Sequence, residues 1–230
     1  MPEMPKDLVL IPALFCDEGL YADVRPQLAQ HLTVHVIAAP RDTMAESVTA
    51  ILDQAPKTFI LAGTSYGAAL AVEIALAAPD RVKGLWIMGN DPAAGDPEQG
   101  PGLVQGIETN TEGVIDMLAG LVVLPKHEAA AATFRTMAKR VGRDTAVKQA
   151  KSLATRRSVE DHAAALKMPV LAIWGEDDKI APIEKGKAFV ARIPHAEFHP
   201  LAECGHLPTL EKPAEVVGIF TSWLSSRLAA

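Results

Sequence analysis

Short runs of apolar residues alternate with longer stretches in which apolar positions recur every three or four residues. Leu8–Ala13, Thr33–Ala39, Thr58–Ala62, Val82–Met88, Pro169–Trp174 and Ala196–Leu201 are short and nearly continuous in their hydrophobicity, the mark of buried strands. Between them, Val24–His31 and Met44–Gln54 carry helical spacing, the latter through Val48, Ile51 and Leu52. Gly67–Ala78 is alanine and aliphatic almost throughout, which predicts a helix buried on all sides. Pro213–Leu228 closes the chain with one more helix. Buried strands alternating with helices predict an α/β domain: a predominantly parallel sheet of about six strands, with helices on both faces.

The alternation breaks once. Asp91–Gly106 is rich in Gly, Pro and Asp without periodicity and predicts an irregular, hinge-like entry. Thr111–Leu124, Lys126–Val141, Asp144–Thr155 and Val159–Leu166 then read as helices with no strand among them. At about 75 residues this stretch is too long to be a loop between sheet elements. The expected organisation is a core from 1–90 and 168–230, interrupted by a helical cap over 91–167. Cap positions such as Met117, Leu121 and Phe134 are the expected lining of a substrate pocket.

Composition narrows the function. Apolar residues make up 49% of the chain and charged residues 22%, which is an ordinary globular balance. The formal charge of −6 gives no basic excess for a nucleic-acid backbone, so no such partner is expected. No stretch has the length of apolar residues that a membrane span requires, and Leu8–Phe15 holds a proline and ends in Cys16-Asp17-Glu18, unlike a signal peptide. Two cysteines, Cys16 and Cys204, form no disulfide framework and fit buried small hydrophobes in a reducing, cytoplasmic setting.

The candidate chemistry begins at Gly63-Thr64-Ser65-Tyr66-Gly67, a G-x-S-x-G set between an apolar strand and an alanine-rich helix. That setting makes a sharp turn with the serine at its apex, at the N-terminus of a helix, where developing negative charge is favoured. A nucleophilic serine needs a base and a group to orient that base. Of seven histidines, His206 stands in a small-residue loop just past the last strand; His31, His35, His127, His162, His195 and His199 flank strands or fall in the insertion. Three carboxylates, Glu176, Asp177 and Asp178, follow the strand that ends at Trp174, at the edge from which Ser65 also emerges. No residues have metal-ligand spacing, and His127-Glu128 lacks the second histidine of H-E-x-x-H. No nucleotide-binding glycine motif occurs, so no cofactor is expected.

Over nearly its full length the chain resembles the α/β-hydrolase fold family. GTSYGA resembles that family's nucleophile elbow, GEDDKIAP its acid turn, and CGHLPTLEKP its histidine loop, including Glu211 and Pro213. The resemblance implies a catalytic triad of Ser65, Asp178 and His206, with Asp177 the alternative acid. It also implies an oxyanion hole from the backbone N–H groups of Leu14 and Tyr66. The stretch Pro12-Ala13-Leu14-Phe15-Cys16-Asp17 departs from the His-Gly that many members carry there, and the family's first two strands have no counterpart.

The expected activity is hydrolysis of a small carboxylic ester through an acyl-enzyme. The alternatives are lactone, amide or C–C bond hydrolysis, or a lyase reaction, on the same triad. A noncatalytic binding protein on this scaffold is the alternative from another class. Arg135, Lys139, Arg140, Arg143, Lys148, Lys151, Arg156 and Arg157 in the insertion either receive a substrate carboxylate or form a solvated face.

Overall fold

The computed structural model describes residues 5–228. Six strands, β1 (Asp7–Ile11), β2 (Thr33–Val36), β3 (Phe59–Thr64), β4 (Val82–Met88), β5 (Val170–Gly175) and β6 (Ala196–Leu201), form one sheet in the order β2-β1-β3-β4-β5-β6. All five pairings are parallel. Alternate residues of a strand serve opposite faces. Leu8, Leu10, Ile60, Ala62, Trp86, Met88, Leu171 and Ile173 enter one hydrophobic cluster, and their neighbours Val9, Ile11, Phe59, Leu61, Leu85, Ile87, Val170 and Ala172 enter the other. Both faces are covered, which explains why these strands are apolar without alternation.

On the second face lie α2 (Met44–Leu52), α3 (Tyr66–Ala77) and α6 (Ile183–Val190). On the first lie α1 (Arg25–Leu28) and α8 (Pro213–Leu228), which contributes Val216, Phe220, Trp223 and Leu224. Between β4 and β5 run two long helical elements, α4 (Gln99–Val122) and α5 (Glu128–Ala154), packed on each other. Their Ile107, Ile115, Phe134 and Met137 join the same cluster as Phe15, Leu20 and Tyr21, so the insertion shares a core with the sheet.

The insertion differs from the sequence expectation in two places. Helix α4 starts at Gln99, inside the stretch read as irregular to Gly106. The Asp96 side chain accepts from the N–H groups of Glu98 and Gln99, which supplies an N-terminal cap. Pro101 falls in the first turn, where its missing N–H costs nothing. The helix is interrupted at Asn110 (φ −150°, ψ 63°), so the expected helix from Thr111 is its second half. The stretch Val159–Leu166, read as a helix, holds a 3-10 turn over Glu160–Ala165. By contrast, α5 breaks at Gly142 (φ 73°, ψ 169°), between the two helices expected there.

Met117 and Leu121 stand exposed on α4, whereas Phe134 is buried in the shared core. Of the three expected pocket positions, two are therefore solvent-facing and one belongs to the core shared with the sheet.

Candidate active site

The sheet order reverses direction between β1 and β3, and in open α/β sheets ligands bind at the C-terminal edge beside such a reversal. The register sets Ile11 of β1 beside Gly63 of β3, and Thr64 beside Met88 of β4. The ends of β1, β3 and β4 are therefore level, and Ser65 follows directly from β3.

Ser65 has φ 56° and ψ −117°, a conformation that costs a non-glycine residue energy and persists only where the surroundings impose it. Its N–H donates to the Met88 carbonyl at 2.8 Å, and its carbonyl accepts from Ala68 and Ala69 in the first turn of α3. A Cβ on Gly63 would lie 2.1 Å from the Gly67 carbonyl oxygen, and one on Gly67 would lie 2.1 Å from that of Ile11. Only glycine at both places lets the turn close on itself and seat against the end of β1. The elbow read from G-x-S-x-G is present, with a partly exposed serine at its apex.

His206 and Asp178 meet as expected. Nδ1 of His206 lies 2.7 Å from Oδ2 of Asp178, and both residues are buried, at 2% and 6% exposure. The other carboxylate oxygen, Oδ1, accepts the N–H groups of Ile180 and Ala181, each at 2.9 Å, which fixes the carboxylate plane. Nε2 of His206 has no hydrogen-bond partner among the described residues. Asp177 and Glu176 are exposed, so the choice among the three carboxylates falls on Asp178. Gly89, the residue after Met88, links this pair to the elbow: its missing Cβ would sit 2.9 Å from Nδ1 of His206 and 3.4 Å from Oδ2 of Asp178. Ser65 and His206 thus both lie at the tip of β4, Ser65 against Met88 and His206 against Gly89.

The N–H groups of Leu14 and Tyr66 donate to no protein acceptor among the described residues. Leu14 lies in the loop that leaves β1, against which Gly67 packs.

Glu211 already stood in the histidine-loop motif, but its role there, and the part of Asn90 and Gln149, were not legible in the sequence. Glu211, buried on α7 (Pro208–Glu211), accepts from Gly205 and Leu207 on either side of His206, and from Leu124 at the end of α4. The His206 N–H donates to the Val122 carbonyl. The histidine loop is therefore tied to the insertion at two points. Asn90 is fully buried, and neither atom of its side-chain amide has a partner among the described residues. Gln149 of α5 accepts from the Phe15 N–H at 3.0 Å.

Four of the remaining histidines meet other partners: His35 with Asp7, His162 with Arg157, His199 with Glu197, and His127 with the Glu203 carbonyl. Cys16 and Cys204 are buried and free; burial pushes both thiols up, reinforced by Asp17 and Glu211 respectively, so neither is a thiolate at neutral pH. The arginines of the insertion face protein carboxylates: Arg135 with Asp116, Arg140 with Asp17, Arg143 with Asp144, Arg156 with Asp91, and Arg157 with Glu73. Among the described residues no helix is long and apolar enough to cross a membrane.

The family model of the alpha/beta hydrolase fold matches residues 37–213, and the chain belongs to that family. It is 33% identical over 160 residues to a 2-hydroxy-6-oxononadienedioate/2-hydroxy-6-oxononatrienedioate hydrolase of Paraburkholderia phymatum, covering 64% of this chain and 55% of that protein. The chain thus spans about half the length of that relative. A pimeloyl-[acyl-carrier protein] methyl ester esterase of Citrobacter koseri is 23% identical over 239 residues, covering 90% of each chain. Among solved structures, a thermophilic esterase from Thermogutta terrifontis superposes with a TM-score of 0.87 at 21% identity, over 97% of this chain and 91% of that one. The enol-lactonase from Burkholderia xenovorans LB400 also gives 0.87, at 17% identity, over 97% of this chain and 92% of that one. These structural likenesses establish the fold.

Proposed function

We propose that the protein is a serine hydrolase that cleaves a small carboxylic ester through an acyl-enzyme. The observation that carries this reading is the buried Asp178–His206 pair, whose Nε2 makes no hydrogen bond to Ser65 or to any other described residue, on the same sheet edge as the strained Ser65 elbow. Asp178 accepts a hydrogen bond from the Nδ1–H of His206, which fixes the tautomer that leaves the Nε2 lone pair as the base. Nε2 takes the Ser65 hydroxyl proton as Oγ attacks the acyl carbon, then returns it to the leaving alkoxide. The N–H groups of Leu14 and Tyr66 receive the oxyanion. Water, deprotonated by His206, then releases the acid and restores Ser65. The helical insertion over 91–167 serves as the cap that excludes water and shapes the acyl site.

The relatives favour a second reading, hydrolysis of a C–C bond or a lactone on the same triad, since some are named as oxo-dienedioate hydrolases and one neighbour as an enol-lactonase. A dioate substrate needs cationic partners for its carboxylates. The insertion's five arginines already stand against an aspartate or glutamate, which favours an uncharged acyl group, whereas among the described residues Lys148 has no such partner and stays open to a substrate carboxylate. A panel of p-nitrophenyl esters, lactones and vinylogous diketones separates the two. Preference for the esters by at least tenfold in kcat/KM is expected; preference for the diketones transfers the assignment to C–C hydrolysis. Failure of Ser65 to react with a fluorophosphonate would leave the noncatalytic binding protein.

A further inference from the structure

Buried polar side chains almost always meet a partner, so one that meets none marks a place where the partner comes from outside the chain. Asn90 is such a residue. It is 0% exposed, and neither Oδ1 nor Nδ2 of its amide has a hydrogen-bonding partner among the described residues. An apolar side chain of the same shape would avoid the cost of burying two unmet polar atoms.

Its place in the chain points to that partner. The Met88 carbonyl, two residues back, accepts the Ser65 N–H at 2.8 Å. At Gly89, one residue back, an added Cβ would lie 2.9 Å from Nδ1 and Cε1 of His206. Asn90 therefore follows directly on the two residues that touch the elbow and the base. Asp91, the next residue, is partly exposed and turns its carboxylate to Lys185 at 3.4 Å and Arg156 at 3.7 Å, so the chain leaves the site there. Nε2 of His206 is likewise buried without a partner, and in the proposed reaction it is the atom that serves the substrate.

The amide fixes the chemistry of the group it would receive. Oδ1 only accepts and Nδ2 only donates, and both are unmet. A hydroxyl donates and accepts, so a single hydroxyl serves the whole amide. A carboxylate only accepts and an ammonium only donates, so each would leave half of the amide unmet and add a buried charge. We propose that Asn90 is a substrate-binding residue that receives a hydroxyl of the acyl group, and that the preferred substrate is an ester of a small hydroxy acid, with the hydroxyl on the carbon next to the scissile carbonyl or on the one beyond. The inference rests on the serine-hydrolase reading and deepens it by naming the acyl group. Asn90 moves no proton. It selects the substrate, because an acyl group without the hydroxyl leaves the buried amide unmet.

The test measures hydrolysis of two matched pairs by pH-stat: methyl lactate against methyl propionate, and methyl 3-hydroxybutyrate against methyl butyrate. The wild-type protein is compared with N90L, which has a similar shape and no polar side-chain atom. Each protein also gives a melting midpoint and a rate of reaction of Ser65 with a fluorophosphonate. The wild type is expected to prefer the hydroxy ester of at least one pair by about 10–100-fold in kcat/KM, the discrimination given by one buried partner. N90L is expected to bring that ratio to within about twofold. Should N90L fail to fold, N90A removes the same polar atoms and reads the same ratio. Equal kcat/KM within both pairs for the wild type, or a preference that survives in the folded variant, would overturn the inference. A lowered melting midpoint in N90L beside a wild type without preference would overturn it too, making Asn90 the holder of a structural water. A wild type that labels at Ser65 but hydrolyses none of the four esters would overturn the inference alone. A wild type that neither labels at Ser65 nor hydrolyses any ester would remove the hydrolase reading and the inference together.

Discussion

A methyl group on Gly89 would stand 2.9 Å from both Nδ1 and Cε1 of His206. Gly89 also has φ 61°, a region that disfavours a side chain on its own account. The tip of β4 therefore has to be bare for the imidazole to lie between it and Asp178. G89A is expected to push the ring off Asp178, lowering kcat by about 10²-fold or more, and to cost about 1–3 kcal/mol in stability. Turnover of a p-nitrophenyl ester and urea unfolding measure the two effects separately. Wild-type turnover would show that His206 has room the geometry denies it.

Glu211 offers a second handle on the same histidine. Its carboxylate gathers the N–H groups of Gly205, Leu207 and Leu124 in a buried setting. Replacing it by alanine orphans these donors, each worth about 1–3 kcal/mol when left buried without a partner. E211A is expected to be destabilised by roughly 2–4 kcal/mol and to lose activity in the folded fraction, because the loop that sets His206 is no longer clasped. E211Q retains an acceptor and should fall between. The check is urea unfolding alongside kcat at a temperature where each variant is folded.

The acid can be assigned by a paired substitution. D178N keeps the shape of the turn but offers the imidazole a partner that favours the wrong tautomer, at an expected cost of about 10⁴ in kcat. D177N changes an exposed side chain and should stay within about threefold of wild type, since such surface changes rarely matter. Equal losses in the two variants would contradict the assignment of Asp178.

The frame was legible because its signals are local. The β3 run Phe59–Thr64 and the helix Tyr66–Ala77 are apolar throughout, and burial on both faces demands that. Ser65, Asp178 and His206 could be picked out because each sits in a short motif directly after a strand. The start of α4 was hidden because its glycines and Pro101 suppress helical pattern, while the cap that rescues it is the single side chain of Asp96. Which face of α4 Met117 and Leu121 occupy was not legible either, because hydrophobicity alone does not tell a core-facing position from an exposed one, and the interruption at Asn110 separates the phases of the two halves of α4. Gln149 left no sequence signal at all: it is one amide in a polar helix, and its partner Phe15 lies 134 residues away.

The central claim is that Ser65 is the nucleophile, activated by His206. The most direct measurement is reaction of the native protein with a fluorophosphonate, followed by peptide mass spectrometry and by ester turnover in S65A. Stoichiometric labelling of the peptide bearing Ser65 is expected, together with a loss of about 10⁶-fold in kcat in a folded S65A that no longer labels. Label on another residue, or wild-type turnover by S65A, would contradict the account.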